Sequence, residues 1–143
     1  MPYDPMLVQP MREELTRLGF EELATPEAVE SWMNQKTGTS LLVMNSVCGC
    51  AAGSARPGVA LSLEHAAKPE RVATVFAGND VEATQTASGF VPEVPPSSPS
   101  MYLFKDGELV YVMPRHAIEG RMAQDIAAEL KQQFDKFCAP ANA

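Results

Sequence analysis

An α/β fold is predicted, on three observations. Residues 40–45 (SLLVMN) form a short apolar run without polar alternation, the pattern of a strand covered on both faces. A second run at 72–76 (VATVF) follows a helical stretch and precedes another, so the order is that of a βαβ unit. Two more apolar runs, 100–105 and 108–113, flank Asp106-Gly107, the strongest short-range hairpin signal. At 143 residues the chain fits one domain, 1–143, long enough to bury a core without disulfide staples.

Along the chain, Asp4-Pro5 reads as a helix start, and Pro10 as a first-turn proline before 11–18, which ends at Gly19. Met11, Leu15 and Leu18 share one face there, with Arg12, Glu13 and Glu14 turned to solvent. Thr25-Pro26-Glu27 repeats the cap-then-proline signal for a helix over 26–35, closed by Gly38. After the 40–45 strand, a helix is expected over 50–65, kinked by Pro57, with Ala51, Ala52, Gly53 and Ala55 small enough to pack closely on a sheet. Gly78-Asn79-Asp80 turns the 72–76 strand into a helix over 81–88. Pro92, Pro95, Pro96 and Pro99 make 90–99 a loop. Ile126, Leu130, Phe134 and Phe137 give the last helix, 121–138, its apolar face.

The chemistry concentrates at Cys48-Gly49-Cys50, where the apolar strand gives way to the small-residue helix. A strand feeding a helix leaves free N–H groups and the positive end of the helix dipole at the junction, which favours a thiolate. CxxC beside a βαβ pattern is a redox motif, but this chain has CxC. Positions i and i+2 diverge in regular structure, so a Cys48–Cys50 disulfide requires a sharp turn, for which Gly49 is expected to enter positive φ. Such a ring departs from preferred disulfide geometry and is expected to be easily reduced, suiting thiol exchange or release of a small thiol.

Eleven basic against 18 acidic residues, net charge −7, with no basic stripe, argue against nucleic acid and anionic membranes as partners. No apolar run approaches the ~20 residues of a membrane span. The opening Met1-Pro2-Tyr3-Asp4 lacks a basic-then-apolar pattern, so no signal peptide and a cytoplasmic location are expected. In that compartment neighbouring cysteines are more often catalytic or metal-binding than structural.

The order of elements resembles the thioredoxin fold, a central mixed β-sheet flanked by helices, here with an N-terminal helical extension. Pro99-Ser100-Met101-Tyr102-Leu103-Phe104-Lys105-Asp106-Gly107 is similar to the stretch that follows the thioredoxin cis-proline. A closer resemblance is to the bacilliredoxins, thioredoxin-like proteins with CGC. It is carried by Pro10-Met11-Arg12-Glu13-Glu14-Leu15, Asn45-Ser46-Val47-Cys48-Gly49-Cys50-Ala51-Ala52-Gly53, Ala55-Arg56-Pro57-Gly58, Pro96-Ser97-Ser98-Pro99-Ser100 and Arg115-His116, Ile118-Glu119-Gly120-Arg121. The resemblance implies removal of bacillithiol, or a similar small thiol, from S-thiolated client proteins. Cys48 is then the nucleophile and Cys50 the resolving thiol, unless a second small-thiol molecule resolves. Pro99 is the expected cis-proline, Ser98 supplies backbone for pairing with substrate, and His116 tunes the thiolate if its loop folds over the cysteines. No cofactor is implied beyond bacillithiol as co-substrate, with a disulfide reductase completing the cycle. Some members are regarded as weak disulfide isomerases.

A second class stays open: a non-enzymatic CxC module binding zinc or copper, for which only Cys138, His65 and His116 could complete four ligands. Cys138 otherwise reads as a small hydrophobe beside Phe134 and Phe137, with a resolving or regulatory role the alternative. Arg56 reads as a surface or structural partner, and the eight methionines as core filler.

Overall fold

Strand β2 (Thr39–Asn45) is the middle of a five-stranded sheet, and every one of its residues is buried. The computed structural model describes residues 3–139; Met1, Pro2 and 140–143, which the N-terminal reading and the assigned domain 1–143 include, lie outside the described residues. The remaining elements are α1 (Pro5–Thr16), β1 (Glu21–Glu22), α2 (Pro26–Met33), α3 (Arg56–Ser62), β3 (Arg71–Phe76), α4 (Val81–Gly89), β4 (Ser100–Lys105), β5 (Glu108–Met113) and α5 (Ala123–Phe137). The sheet order is β1-β3-β2-β4-β5. Strands β1 and β2 run parallel to β3, while β4 runs antiparallel to both β2 and β5.

The lack of alternation in β2 has the predicted cause. Leu41 and Val43 face a core shared with Leu15, Val59, Ile126, Leu130 and Phe134 from α1, α3 and α5. Leu42 and Met44 face the other core, with Val29, Trp32, Ala83 and Ala87 from α2 and α4. The hairpin turn also forms as read, with φ of 52° at Asp106 and 85° at Gly107. Asp106 Oδ1 accepts from the Gly38 N–H at 2.9 Å, tying the hairpin to the turn that precedes β2. Gly58 is where α3 meets α5: a Cβ there would lie 2.8 Å from Ile126 Cγ2 and 3.2 Å from the Ala123 carbonyl oxygen.

The structure departs from the sequence reading at three places. Pro10 does not begin a helix; it lies inside the single helix α1, capped by Asp4, whose carboxylate accepts from the Met6 N–H. The N–H that Pro10 lacks is offset by tertiary anchoring: Arg12 reaches Asp80 (2.7 Å) and Glu22 (2.6 Å) and stacks over the Phe76 ring. Arg12 therefore faces an ion-pair network rather than solvent. Second, the expected kinked helix over 50–65 divides at a π-helical turn, Ala51–Ala55, in which the Arg56 N–H bonds to the Ala51 carbonyl, and α3 ends at Ser62. The wider turn leaves Pro57 in the first turn of α3, where its missing donor costs nothing. Third, β1 is a two-residue edge strand that neither length nor composition announced; it extends the helical N-terminal segment into the sheet beside β3. Among the described residues, no helix is long and apolar enough to cross a membrane.

Candidate active site

The chain leaves β2 through Ser46 and Val47 and enters a helical turn at Gly49, with the Cys48 carbonyl accepting from the N–H groups of Ala51 (3.1 Å) and Ala52 (3.2 Å). Both cysteines are free thiols with their sulfurs 2.6 Å apart. Gly49 does not use positive φ, contrary to expectation. Cys48 precedes the first helical residue, so the divergence of i and i+2 within a regular helix does not apply to the pair. The position a Gly49 side chain would take is open space.

The electrostatics separate the two thiols. Burial by itself pushes Cys48 up, but hydrogen bonds from Cys50 and Ser46 and from the backbone N–H groups of Ala51 and Cys50 outweigh it and hold Cys48 below the ordinary thiol value. Cys50 is pushed the other way, first by burial, then by donating to Cys48 and by the charge that Cys48 carries; Arg115 opposes this shift. The two thiols are thus pushed in opposite directions, which favours the thiolate on Cys48 and the proton on Cys50.

Beneath this turn lies a buried polar knot. Asn45 Oδ1 accepts from the Ser46 N–H (2.8 Å) and from Arg56 Nη1 (2.9 Å), and Arg56 Nη1 also donates to the Ser46 carbonyl (2.8 Å). Asn45 Nδ2 donates to the Met11 carbonyl, and Ser46 Oγ accepts from the Cys48 N–H. Arg56 is 2% exposed, so its expected surface role is overturned and its structural one stands. Its Nε lies 3.1 Å from Glu14 Oε1 without meeting it in line.

The Ser98–Pro99 bond is cis, as expected. Ser100 Oγ donates to the Ser97 carbonyl and braces the loop. The segment after β5 folds back here through a short 3₁₀ turn, Arg115–Ala117. His116, the residue named from sequence, is exposed and lines an apolar cleft of about 360 Å³ with Val94, Pro96, Ser97, Val112 and Pro114. Its neighbour Arg115 makes the contacts: its N–H donates to Ser97 Oγ (3.2 Å), Nη1 to the Ser98 carbonyl (3.0 Å) and Nε to Glu119 (2.7 Å). Arg115 also carries the positive charge felt by both thiols. Sequence reasoning passed over Arg115 and Asn45 as site residues, although both lie in the stretches that carry the resemblance.

Cys138 packs in the core near Thr39, where burial pushes its thiol up. Thr39 and Asn45 are opposite ends of β2, about 20 Å apart at ~3.3 Å per residue, so Cys138 cannot meet Cys48 in this fold. His65 pairs with Asp135. Among the described residues, no group of three or more His, Cys, Asp or Glu side chains is arranged to hold a metal.

A family model described as disulphide isomerase matches residues 3–138. A bacilliredoxin of Cytophaga hutchinsonii is 55% identical over 135 residues, covering 94% of this chain and 99% of that one. The chain belongs to the bacilliredoxin family. A bacilliredoxin of Bacillus cereus is 50% identical over 137 residues, covering 95% of both chains. The fold is thioredoxin-like: Fasciola hepatica thioredoxin superposes with a TM-score of 0.55 at 19% identity, covering 82% of this chain and 99% of that one. Reduced Schistosoma mansoni thioredoxin does so at 0.56 and 18%, covering 82% and 97%.

In this bacilliredoxin-family chain, the asymmetry of the two thiols should appear in pH-dependent alkylation read by peptide mass. Cys48 is expected to react with a midpoint below ~8.5, and Cys50 only at higher pH. A Cys48 midpoint at or above that value would contradict the hydrogen-bond geometry.

Proposed function

We propose that this chain is a thiol–disulfide oxidoreductase that removes bacillithiol, or a similar small thiol, from S-thiolated cytoplasmic proteins. The observation that carries the proposal is the Cys48 sulfur at the head of a helical turn, hydrogen-bonded by Cys50 at 2.6 Å, in a chain similar to bacilliredoxins along nearly its full length. The Cys48 thiolate attacks the small-thiol sulfur of the mixed disulfide. A bond forms between Cys48 and the small thiol, and the client leaves as a thiolate. Cys50 then loses its proton and attacks Cys48, closing the Cys48–Cys50 disulfide and expelling the small thiol as its thiolate. In the alternative ending, a second small-thiol molecule attacks and leaves as a symmetric disulfide. No resident cofactor is needed, since two sulfurs carry the electrons. An external reductase restores the dithiol in the first ending and reduces the small-thiol disulfide in the second. The exposed Gly49 leaves room for a client to approach.

The description of the matched family, disulphide isomerase, favours a second reading in which protein disulfides are the substrates. The deciding experiment mixes the reduced protein with a client carrying a bacillithiol mixed disulfide and follows both masses. Loss of the small thiol from the client supports the proposal. An untouched client, with scrambled protein disulfides rearranged instead, favours the isomerase.

A further inference from the structure

In strand addition, an extended substrate pairs its backbone with both the N–H and the carbonyl of the edge it joins. Here the Ser98 carbonyl already accepts from Arg115 Nη1 at 3.0 Å. That bond is charge-assisted and stronger than one a substrate backbone N–H could offer in its place. Arg115 is held there at three points, by Ser97 Oγ, Ser98 O and Glu119. A guanidinium has five donors in a rigid fork. Among the described residues Nη2 has no partner, so one edge of the fork is unspent, on a side chain whose charge reaches both thiols. The Glu119 pair on the opposite edge is solvent-exposed and competes weakly with a ligand carboxylate.

We infer that Arg115 is a substrate-selecting residue: it binds a carboxylate on the departing small thiol and, by occupying the Ser98 carbonyl, withholds that backbone edge from extended polypeptide. The inference rests on the proposed function and deepens it, since it names the substrate class as anionic, carboxylate-bearing small thiols. Neutral thiols offer the fork nothing, and a second polypeptide must displace the guanidinium to pair.

The test uses the full reduced chain, as wild type, Arg115→Gln and Arg115→Lys. Three substrates share one cysteine peptide: its mixed disulfide with glutathione, its mixed disulfide with 2-mercaptoethanol, and its disulfide with a second peptide. Rates of small-thiol transfer to Cys48 are read by mass and divided by each protein's iodoacetamide alkylation rate at the same pH, which removes changes in thiolate fraction. Arg115→Gln is expected to lower the corrected rate on the glutathione substrate about tenfold, the size of one lost charge-assisted hydrogen bond. Its corrected rate on the 2-mercaptoethanol substrate stays within about twofold, and its rate on the peptide–peptide disulfide rises. Arg115→Lys recovers part of the glutathione rate. Equal corrected changes on both small-thiol substrates, or none on either, overturn the inference alone. A wild type that transfers neither small thiol overturns this inference, and the proposed function falls with it only where the bacillithiol-carrying client is left untouched as well.

Discussion

Cys48→Ala is expected to stop small-thiol transfer, a loss of at least about a thousandfold, because it removes the thiolate of the pair and leaves Cys50, which burial keeps protonated. Thiol exchange proceeds only through a thiolate. Cys50 holds the proton of the pair, and Cys138 is buried at the other end of β2. Cys50→Ala is expected to behave differently: it should still take the small thiol from the client, retain it on Cys48 as a stable mass increment, and stop there unless free small thiol is added. Removing Cys50 also removes the S–H that donates to Cys48. The Cys48 alkylation midpoint should therefore move up in this variant, toward the ordinary thiol value. The measurement is intact mass of both variants after mixing with the S-thiolated client. Transfer by Cys48→Ala, or a client left intact by Cys50→Ala, would reverse the assigned roles.

Arg56→Ala is expected to destabilise the reduced protein by about 2–4 kcal/mol, the scale for leaving two buried acceptors without their charged donor. The substitution leaves Asn45 Oδ1 without its Arg56 donor and strips Nη1 from the Ser46 carbonyl, both in buried surroundings. Against a total stability of about 5–15 kcal/mol, that is a large share. The effect should reach the chemistry, since Asn45 and Ser46 set the backbone from which Cys48 hangs and Ser46 donates to the Cys48 sulfur as well as accepting from its N–H. A higher Cys48 alkylation midpoint is expected in the folded fraction. Arg56→Lys keeps the charge but not the shared Nη1 donor, and should fall between. Urea unfolding at constant m reads the stability change. A loss under about 1 kcal/mol would show that the knot is not under the tension that its burial implies.

Much of the architecture was legible because it rests on local periodicity. Unbroken burial of β2 follows from a run without polar positions, and the hairpin from Asp106-Gly107, whose φ values only a turn can use. The π-helical turn was not legible. Pro57 announces a disturbance, but whether the chain kinks or widens depends on what Arg56 must reach, and its partners lie ten and eleven residues upstream. Strand β1 escaped for a similar reason: two glutamates have no strand signature, and only the free edge of β3 makes them one.

The candidate site divides along the same line. The sequence alone determined the CGC motif, its position at a strand-to-helix junction, the cis-proline at Pro99 and membership of the family, because each is a matter of residue type and order along the chain. The tertiary structure decided in which direction each thiol is pushed, that Arg56 is buried rather than exposed, and that Arg115 rather than His116 bonds to the Ser98 carbonyl. Those outcomes depend on hydrogen bonds and charges between residues distant in sequence. Their strength is set by burial and by ångström-scale approach, which exist only once the chain has closed around the sheet.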